Sequence, residues 1–385
     1  MSAAFPAGVP GIAPRVALVR SRYDPSGGAE RFVQAAIAAL RAQGAAVTLV
    51  AREWPDHDGS AILVDPFHVG SLWRDWGFAR AVCSMLAARR FDLVQSHERI
   101  PCCDVYRAGD GVHAQWLAER ARVQSPLARA LARLNPRHRW LLAMERTLFA
   151  SPRLRAVICN SGMVRGEIAA RFPIDPAKLV LIRNAVDAES FHPRLRETHR
   201  AAMRAQLGIP ADAPVALHVG SGFERKGVAT FLRALSRAPQ WWGVVVGRDK
   251  RLAHYARMAS SLGIARRVHF AGAVSDVRPW YALADAFVLA TLYDPQPNAA
   301  LEAMACGLPV VTTPKCGAAE LLREAESGFV RDALDAGGIA AALAALEDPL
   351  ARERMGAGAR EAVLPYTPAG MAREYVALYR RLLAR

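Results

Sequence analysis

Two carboxylates eight residues apart are the clearest chemical signal in the sequence. Asp294 lies in a polar loop and Glu302 in a short predicted helix, which Gly307 and Pro309 would end. Asn298 is a favoured N-cap residue, so the first amides of this helix could hold a phosphate or a sugar oxygen. We expect one carboxylate to accept from a sugar hydroxyl and the other from a ribose diol. Taken alone, Glu302 is also typical of an acid that the helix dipole favours in the first turn.

A second charged motif is Gly220-Ser-Gly-Phe-Glu-Arg-Lys-Gly227, between a predicted strand and a predicted helix. Its glycines have neither the Walker A spacing nor a complete dinucleotide fingerprint, so by themselves they are weak evidence. Arg225 and Lys226 could neutralise a diphosphate, the arginine through paired hydrogen bonds and the lysine as a point charge. A merely solvated cationic pair is the alternative, and the acidic pair in the same half of the chain weighs against it.

The first half of the chain holds two further candidate motifs. Gly27 and Gly28 follow a predicted strand, where glycine lets the backbone approach a ligand closely, although a plain turn is the simpler explanation. Asp110 and His113 follow another predicted strand. They are the titratable groups best placed to form the opposite wall of a cleft, and a turn aspartate with a surface histidine is the alternative.

The elements that must position these residues follow an α/β pattern. Short apolar runs alternate with predicted helices along the whole chain, which predicts parallel sheets joined by helical crossovers. We expect a flexible lead at 1–14, an acceptor-binding domain at 15–192, a linker at 193–213 and a donor-binding domain at 214–365. A final helix at 366–385 could pack on either domain. Two doubly wound domains would place ligands at the carboxyl ends of their strands.

The chain of 385 residues carries a net charge of +15, and its basic residues are concentrated in one segment. Residues 120–155 hold nine arginines and one acid, with apolar residues at helical spacing, which predicts one or two basic amphipathic helices. A solvated helix pair is one interpretation, and a patch attracted to an anionic membrane surface is the other. Nucleic acid is not the expected partner, because no stacking platform or DNA-binding motif accompanies the charge.

The six cysteines show no paired spacing, so we expect reduced thiols, a cytoplasmic protein and no zinc site. No stretch approaches the roughly 18 apolar residues that a membrane span requires. The N-terminus lacks the basic region of a signal peptide.

Several motifs together resemble those of a known family. Asn184-Ala-Val-Asp187 with Phe191 resembles the NGVDxxxF segment of family 4 retaining glycosyltransferases, which have the GT-B fold. Asp294 and Glu302 match their EX7E motif, with Asp replacing the first Glu. Phe223-Glu-Arg-Lys-Gly227 and Val246-Gly-Arg-Asp-Lys250 are most similar to the bacterial lipopolysaccharide core glucosyltransferase I group. The resemblance runs from about residue 15 to residue 365.

The resemblance implies a nucleotide-sugar donor, usually a UDP-hexose such as UDP-glucose, bound mainly by the C-terminal domain without a metal ion or other cofactor. It implies donor contacts from Arg225 and Lys226 (diphosphate), Glu302 (ribose), Asp294 (sugar hydroxyls), the backbone of Asn298 and Ala299, and Gly27 and Gly28 from the other domain. Asp294 is one methylene shorter than the family's glutamate, so the hexose accepted need not be glucose.

We therefore expect a retaining hexosyltransferase that modifies a glycan or lipid-linked acceptor in lipopolysaccharide core or another cell-envelope polysaccharide. Front-side attack would be assisted mainly by Arg225 and Lys226 at the departing diphosphate, with Asp110 assisting the acceptor hydroxyl. The enzyme would lie at the inner face of the cytoplasmic membrane, through residues 120–155. The alternatives are a glycosidase, a nucleotide-sugar epimerase on the same fold, and a non-enzymatic basic protein that binds membranes or nucleic acid.

Overall fold

A computed structural model describes residues 13–22, 37–38, 40–42, 44–54 and 61–384. Gly27 and Gly28, expected near the donor, lie outside the described residues. The chain forms two compact units, Met1–Asn184 with Ala369–Arg385, and Ala185–Pro368.

The first unit is built on a seven-stranded parallel sheet with the strand order β3-β2-β1-β4-β5-β6-β7. Its strands are β1 (Arg15–Val19), β2 (Ala46–Ala51), β3 (Ala61–Leu63), β4 (Leu93–Ser96), β5 (Val105–Arg107), β6 (Ala156–Cys159) and β7 (Leu179–Leu181). The central strands are buried almost throughout, because a parallel sheet is covered on both faces.

Five α-helices that the structure describes over their whole length precede the second unit in sequence: α1 (Gly70–Ala88), α2 (His113–Ala121), α3 (Pro126–Leu134), α4 (Pro136–Phe149) and α5 (Gly162–Arg171). The amphipathic helices predicted within 120–155 are confirmed as α3 and α4. The side chains of Ser125 and Asn135 cap them by accepting backbone N–H bonds, and a proline follows each cap as the first helical residue.

One pair of cysteines departs from expectation. Cys83 of α1 and Cys102, in the loop before β5, form a disulfide, so the prediction of reduced thiols is wrong for this pair. The fold brings their Cα atoms to 5.7 Å, within disulfide range, although they are 19 residues apart in sequence. Four other cysteines are buried free thiols, at 103, 159, 306 and 316.

The second unit has a six-stranded parallel sheet with the order β10-β9-β8-β11-β12-β13, which reverses between β8 and β11. Its strands are β8 (Val215–Val219), β9 (Trp242–Val246), β10 (Val268–Gly272), β11 (Ala286–Val288), β12 (Val310–Thr312) and β13 (Gly328–Val330). Its helices are α6 (Leu195–Leu207), α7 (Phe223–Lys226), α8 (Val228–Ser236), α9 (Leu252–Ser261), α10 (Arg278–Leu283), α11 (Asn298–Ala305), α12 (Ala336–Ala345) and α13 (Pro349–Val363).

The segment 193–213, expected to be a linker, is instead mostly helix α6 of the second unit. The helix packs against α10, and its Arg204 is buried in an ion pair with Asp285, the residue before β11. A second arginine of the helix, Arg200, binds the other oxygen of the same carboxylate at 2.7 Å. The Ala- and Arg-rich composition therefore marks a docked helix, and the boundary between the units lies earlier, after Asn184.

The last helix, α14 (Pro368–Leu383), belongs almost wholly to the first unit. Tyr379 Oη donates to Gln95 Oε1 at 2.5 Å, at the end of β4. Arg107 Nε, at the end of β5, donates to Tyr375 Oη at 3.0 Å. None of the helices within the described ranges combines the length and hydropathy needed to cross a bilayer.

Candidate functional site

The carboxyl edge of the second sheet holds most of the predicted site residues, beginning with the turn that follows β8. Gly220 has φ +154°, and a Cβ on it would lie 3.0 Å from Cε of Lys226, so glycine lets the lysine stem lie against the backbone. Gly227 has φ +76°, and a Cβ there would lie 1.8 Å from the carbonyl oxygen of Ala290. Glycine at these positions sets how closely α7 and α8 approach the ends of β8 and β11.

Lys226 and Asp294 form an ion pair and hydrogen bond between the Nζ and Oδ2 atoms, and both side chains are buried. Arg225 Nη1 lies 3.7 Å from the same carboxylate oxygen and donates to the Tyr293 carbonyl at 3.3 Å. Burial opposes ionisation of Asp294, but the charges of Lys226 and Arg225 and the lysine hydrogen bond outweigh it, so its pKa lies below the ordinary value. The site therefore holds a fixed, ionised carboxylate between two cations.

The backbone of Asp294 is held as firmly as its side chain. Its N–H donates to the Lys315 carbonyl at 2.8 Å, and its carbonyl accepts from the Gly317 N–H at 2.9 Å. The loops after β11 and β12 are thereby joined, and β8 and β11 flank the point where the strand order reverses. Such a switch point is where open α/β sheets bind ligands.

Helix α11 follows this loop and departs from expectation at its start. Pro297 occupies the N-cap position and Asn298 is the first helical residue, so the predicted capping by the Asn298 side chain is wrong. Pro297 has an extended backbone, so the helix begins at Asn298, one residue earlier than it would if Asn298 were the N-cap. Asn298 and Ala299 are half-buried in the first turn, whereas Glu302 lies in the second turn rather than the first.

Glu302 is buried, and its Oε2 accepts from the hydroxyl of Tyr281 at 2.9 Å. The same hydroxyl lies 3.1 Å from the Ala299 carbonyl oxygen. Tyr281 belongs to α10 and was not predicted as a site residue, because one tyrosine in a short apolar helix carries no sequence signal of its partner.

Asp249, in the loop after β9, is a second residue whose partner the sequence does not indicate. Its Oδ2 accepts from the Phe223 N–H at 2.7 Å, at the start of α7. On the same loop, Arg251 Nη2 donates to Glu224 Oε2 at 2.8 Å. Asp249 therefore fixes the turn that carries Arg225 and Lys226. Asp249 lies within Val246-Gly-Arg-Asp-Lys250, one of the motifs that resemble the family, and the resemblance assigns no role to it.

Asp110 belongs to the first unit, in an exposed turn after β5. Glu145 Oε1 anchors this turn, because it accepts from the His113 N–H at 2.6 Å and from Arg99 Nε at 3.0 Å. His113 is buried beside His138, so the alternative of a surface histidine is wrong. Burial, then the charge of Arg99, lowers the pKa of His113 to about 3 and keeps the ring neutral at neutral pH.

The predicted residues thus fall into three groups. Arg225, Lys226 and Asp294 are in direct contact, and Asn298, Ala299 and Glu302 follow in the next helix of the same unit. Asp110 lies on the other unit.

Two family models match separate parts of the chain. Residues 26–190 match the model described as Glycosyltransferase Family 4, and residues 199–362 match Glycosyl transferases group 1. The lipopolysaccharide core biosynthesis glycosyltransferase LpsE of Rhizobium meliloti is 38% identical over 143 residues, which are 37% of this chain and 42% of LpsE. The lipopolysaccharide glucosyltransferase WaaG of Escherichia coli is 26% identical over 82% of this chain and 84% of its own length.

Solved structures of glycosyltransferases have the same fold as this chain. A crystal structure of WaaG superposes with a TM-score of 0.82 and 24% identity, covering 94% of this chain and 99% of the WaaG chain. HepE of Anabaena, in complex with UDP and glucose, has a TM-score of 0.70 at 18% identity, over 95% of this chain and 99% of its own. The two family matches and the two parallel sheets together establish that the chain belongs to the family 4 glycosyltransferases with the GT-B fold.

Proposed function

We propose that the protein is a retaining hexosyltransferase that uses a UDP-hexose, such as UDP-glucose, to extend a glycan or lipid-linked acceptor in lipopolysaccharide core or another envelope polysaccharide. The observation that carries the proposal is the contact of Arg225 and Lys226 with Asp294 at the switch point of the second sheet. The names of LpsE and WaaG support the acceptor class, and the UDP and glucose in HepE support the donor.

The proposed diphosphate site depends mainly on Arg225. Its side chain is about two-fifths exposed and has N–H donors beyond the one used on Tyr293, so it can bind a phosphate through paired hydrogen bonds. Lys226 is buried against Asp294 and adds a second positive charge next to that of Arg225. The three residues sum to one positive charge, which favours an anionic ligand and stabilises the diphosphate as it leaves.

Asp294 would accept from hydroxyls of the hexose, Glu302 from the ribose, and Asn298 and Ala299 would contribute backbone contacts. No residue acts as a covalent nucleophile in this proposal, and Asp110 assists the acceptor hydroxyl. Arg225 and Lys226 supply the charge that a metal ion would otherwise provide, so we propose that donor binding requires no metal.

The exposed surface of helix α3 supports binding of the protein to the inner face of the cytoplasmic membrane. None of its side chains is buried, and Leu127, Leu131 and Leu134 are 71%, 60% and 68% exposed. Their spacing places them on one face of the helix, and Arg129 and Arg133 lie on the opposite face. A helix with one apolar face and one basic face is typical of a helix that lies in the interface of an anionic bilayer.

A thermal-shift panel tests the donor proposal. UDP, GDP, ADP and CMP, with their sugar conjugates, are added in EDTA and again with Mg²⁺. Binding raises the unfolding free energy by about 2.7 kcal/mol at 100-fold excess over Kd, so a response to UDP and UDP-hexoses in EDTA is expected. A flat panel, or a response only with Mg²⁺, would contradict the proposal.

A further inference from the structure

Tyr281 places its hydroxyl between two acceptors of helix α11. The tyrosine is fully buried, and Oη lies 2.9 Å from Glu302 Oε2 and 3.1 Å from the Ala299 carbonyl oxygen. A phenol has a single proton, and a carboxylate is a stronger acceptor than a carbonyl, so the bond to Glu302 is the dominant one.

We propose that Tyr281 is a positioning residue that holds Glu302 for the ribose of the nucleotide, and that the segment 187–191 holds Tyr281. The inference rests on the proposed function, in which Glu302 binds the ribose. A carboxylate accepts several hydrogen bonds, so Glu302 can keep the bond from Tyr281 while it accepts from a ribose hydroxyl.

The ring of Tyr281 is fixed by aromatic contacts. Phe191 meets it edge to face, with ring centroids 5.8 Å apart and an interplanar angle of 83°. Phe287 of β11 lies 6.3 Å away in a tilted arrangement. Edge-to-face pairs are favourable beyond their buried area, and they restrict the direction in which the hydroxyl is presented.

Phe191 is in turn placed by Asp187. The Phe191 N–H donates to the Asp187 carbonyl at 2.9 Å, which closes the turn between them. The Asp187 carboxylate accepts from the Glu189 and Ser190 N–H groups at 3.1 and 3.2 Å, and from the Ser190 hydroxyl at 2.6 Å. This turn is the part of the NAVDxxxF motif that the proposed donor contacts do not use.

Arg360 connects this turn to the far end of α11. One guanidinium donates to the carbonyls of Phe191 and Ala305, the last residue of the helix. The segment 187–191 therefore braces α11 at its C-terminus through Arg360 and in its middle through Tyr281. Both contacts fix the helix that carries Glu302.

The experiment measures whether Tyr281 acts on the ribose. Isothermal titration compares UDP with 2′,3′-dideoxy-UDP, which lacks both ribose hydroxyls, for wild type, Glu302→Gln, Tyr281→Phe, Phe191→Leu and a control, Tyr255→Phe. Tyr255 is a buried tyrosine of the same unit on α9. If the thermal-shift panel selects GDP or ADP, the same pair of analogues is built on that base.

Wild type should bind UDP more tightly than the dideoxy analogue, and Glu302→Gln should remove most of that difference. Tyr281→Phe keeps the ring and removes one hydrogen bond to a charged group, so it should weaken UDP binding about tenfold and leave dideoxy-UDP binding unchanged. Phe191→Leu should give a smaller loss of the same selectivity. Tyr255→Phe should change neither affinity.

Equal losses for the two nucleotides in Tyr281→Phe would assign it a purely structural role and overturn the inference. Unchanged UDP binding in that variant would overturn it too, while leaving the proposed function intact if Glu302→Gln still loses ribose selectivity. A wild-type preference for UDP that survives in Glu302→Gln would remove the ribose assignment and the inference together. Failure of the wild type to bind UDP, GDP or ADP would overturn both proposals.

Discussion

Lys226, the last residue of α7, and Asp294, in the loop after β11, form a buried ion pair where the strand order of the second sheet reverses. One pair thus connects the predicted diphosphate residue to the predicted sugar residue. Because both are buried, removing Asp294 leaves the Lys226 ammonium without its counter-ion, and the effects of such a variant on folding and on binding must be separated.

The stability provided by this pair should depend on pH. The pKa of Asp294 is lower in the folded protein than its unfolded value of about 3.9, so the pair stabilises fully above that value and less as pH falls through the folded pKa. Asp294→Asn should cost about 3 kcal/mol of unfolding free energy at pH 7, and less at pH 3. Urea unfolding of both proteins between pH 3 and pH 7 measures the difference. A difference that is constant with pH would show that the charge of Asp294 contributes nothing.

Arg225→Ala is the cleaner test of diphosphate binding, since this side chain is partly exposed while Lys226 is buried. Loss of its charge-assisted hydrogen bonds should weaken UDP binding at least about tenfold, with little change in melting temperature. The double variant Arg225→Ala, Lys226→Ala should abolish transfer. Arg323→Ala is the matched control, because that arginine of the same unit is 82% exposed. Near-normal turnover in the double variant would contradict the assignment.

Asp249 should affect donor binding through the turn that it caps. Asp249→Ala leaves the Phe223 N–H without this acceptor, which should cost about 1 kcal/mol of stability and weaken UDP binding several-fold. Asp249→Asn keeps an acceptor oxygen and should recover most of the affinity. Titration calorimetry on the two variants measures this, and equal affinities for both would exclude capping as the cause.

Replacing the exposed leucines of α3 should release the protein from anionic vesicles. Leu127→Ser with Leu131→Ser removes apolar area worth about 1.5–3 kcal/mol per fully inserted residue, so cosedimentation with phosphatidylglycerol vesicles should fall more than tenfold. Leu350→Ser, at an equally exposed leucine of α13, is the control. Wild-type binding should decrease as salt rises. Equal binding to neutral and anionic vesicles would contradict the membrane proposal.

Sequence patterning sufficed for the alternating strands and helices and for placing the cationic turn and the first acid in the same half of the chain, but it did not predict the ion pair between Lys226 and Asp294. Parallel strands end at one edge, so residues just after two neighbouring strands are brought together. The bonds from Tyr281 to Glu302 and from Asp249 to Phe223 could not be predicted, because periodicity locates a helix or a loop but not its side-chain partners. The helix at 195–207 was mistaken for a linker for a similar reason: the partner of Arg204 is 81 residues away.

The position of α14 has a consequence for the order in which the chain folds during synthesis. Gln95 and Arg107 form partnerships with Tyr379 and Tyr375, which the ribosome adds only after the whole second unit. Until then these two polar side chains, which are buried in the finished fold, lack the hydrogen bonds that they form with the two tyrosines. The second unit is contiguous and can fold as soon as it emerges, so the part of the chain made first is completed last.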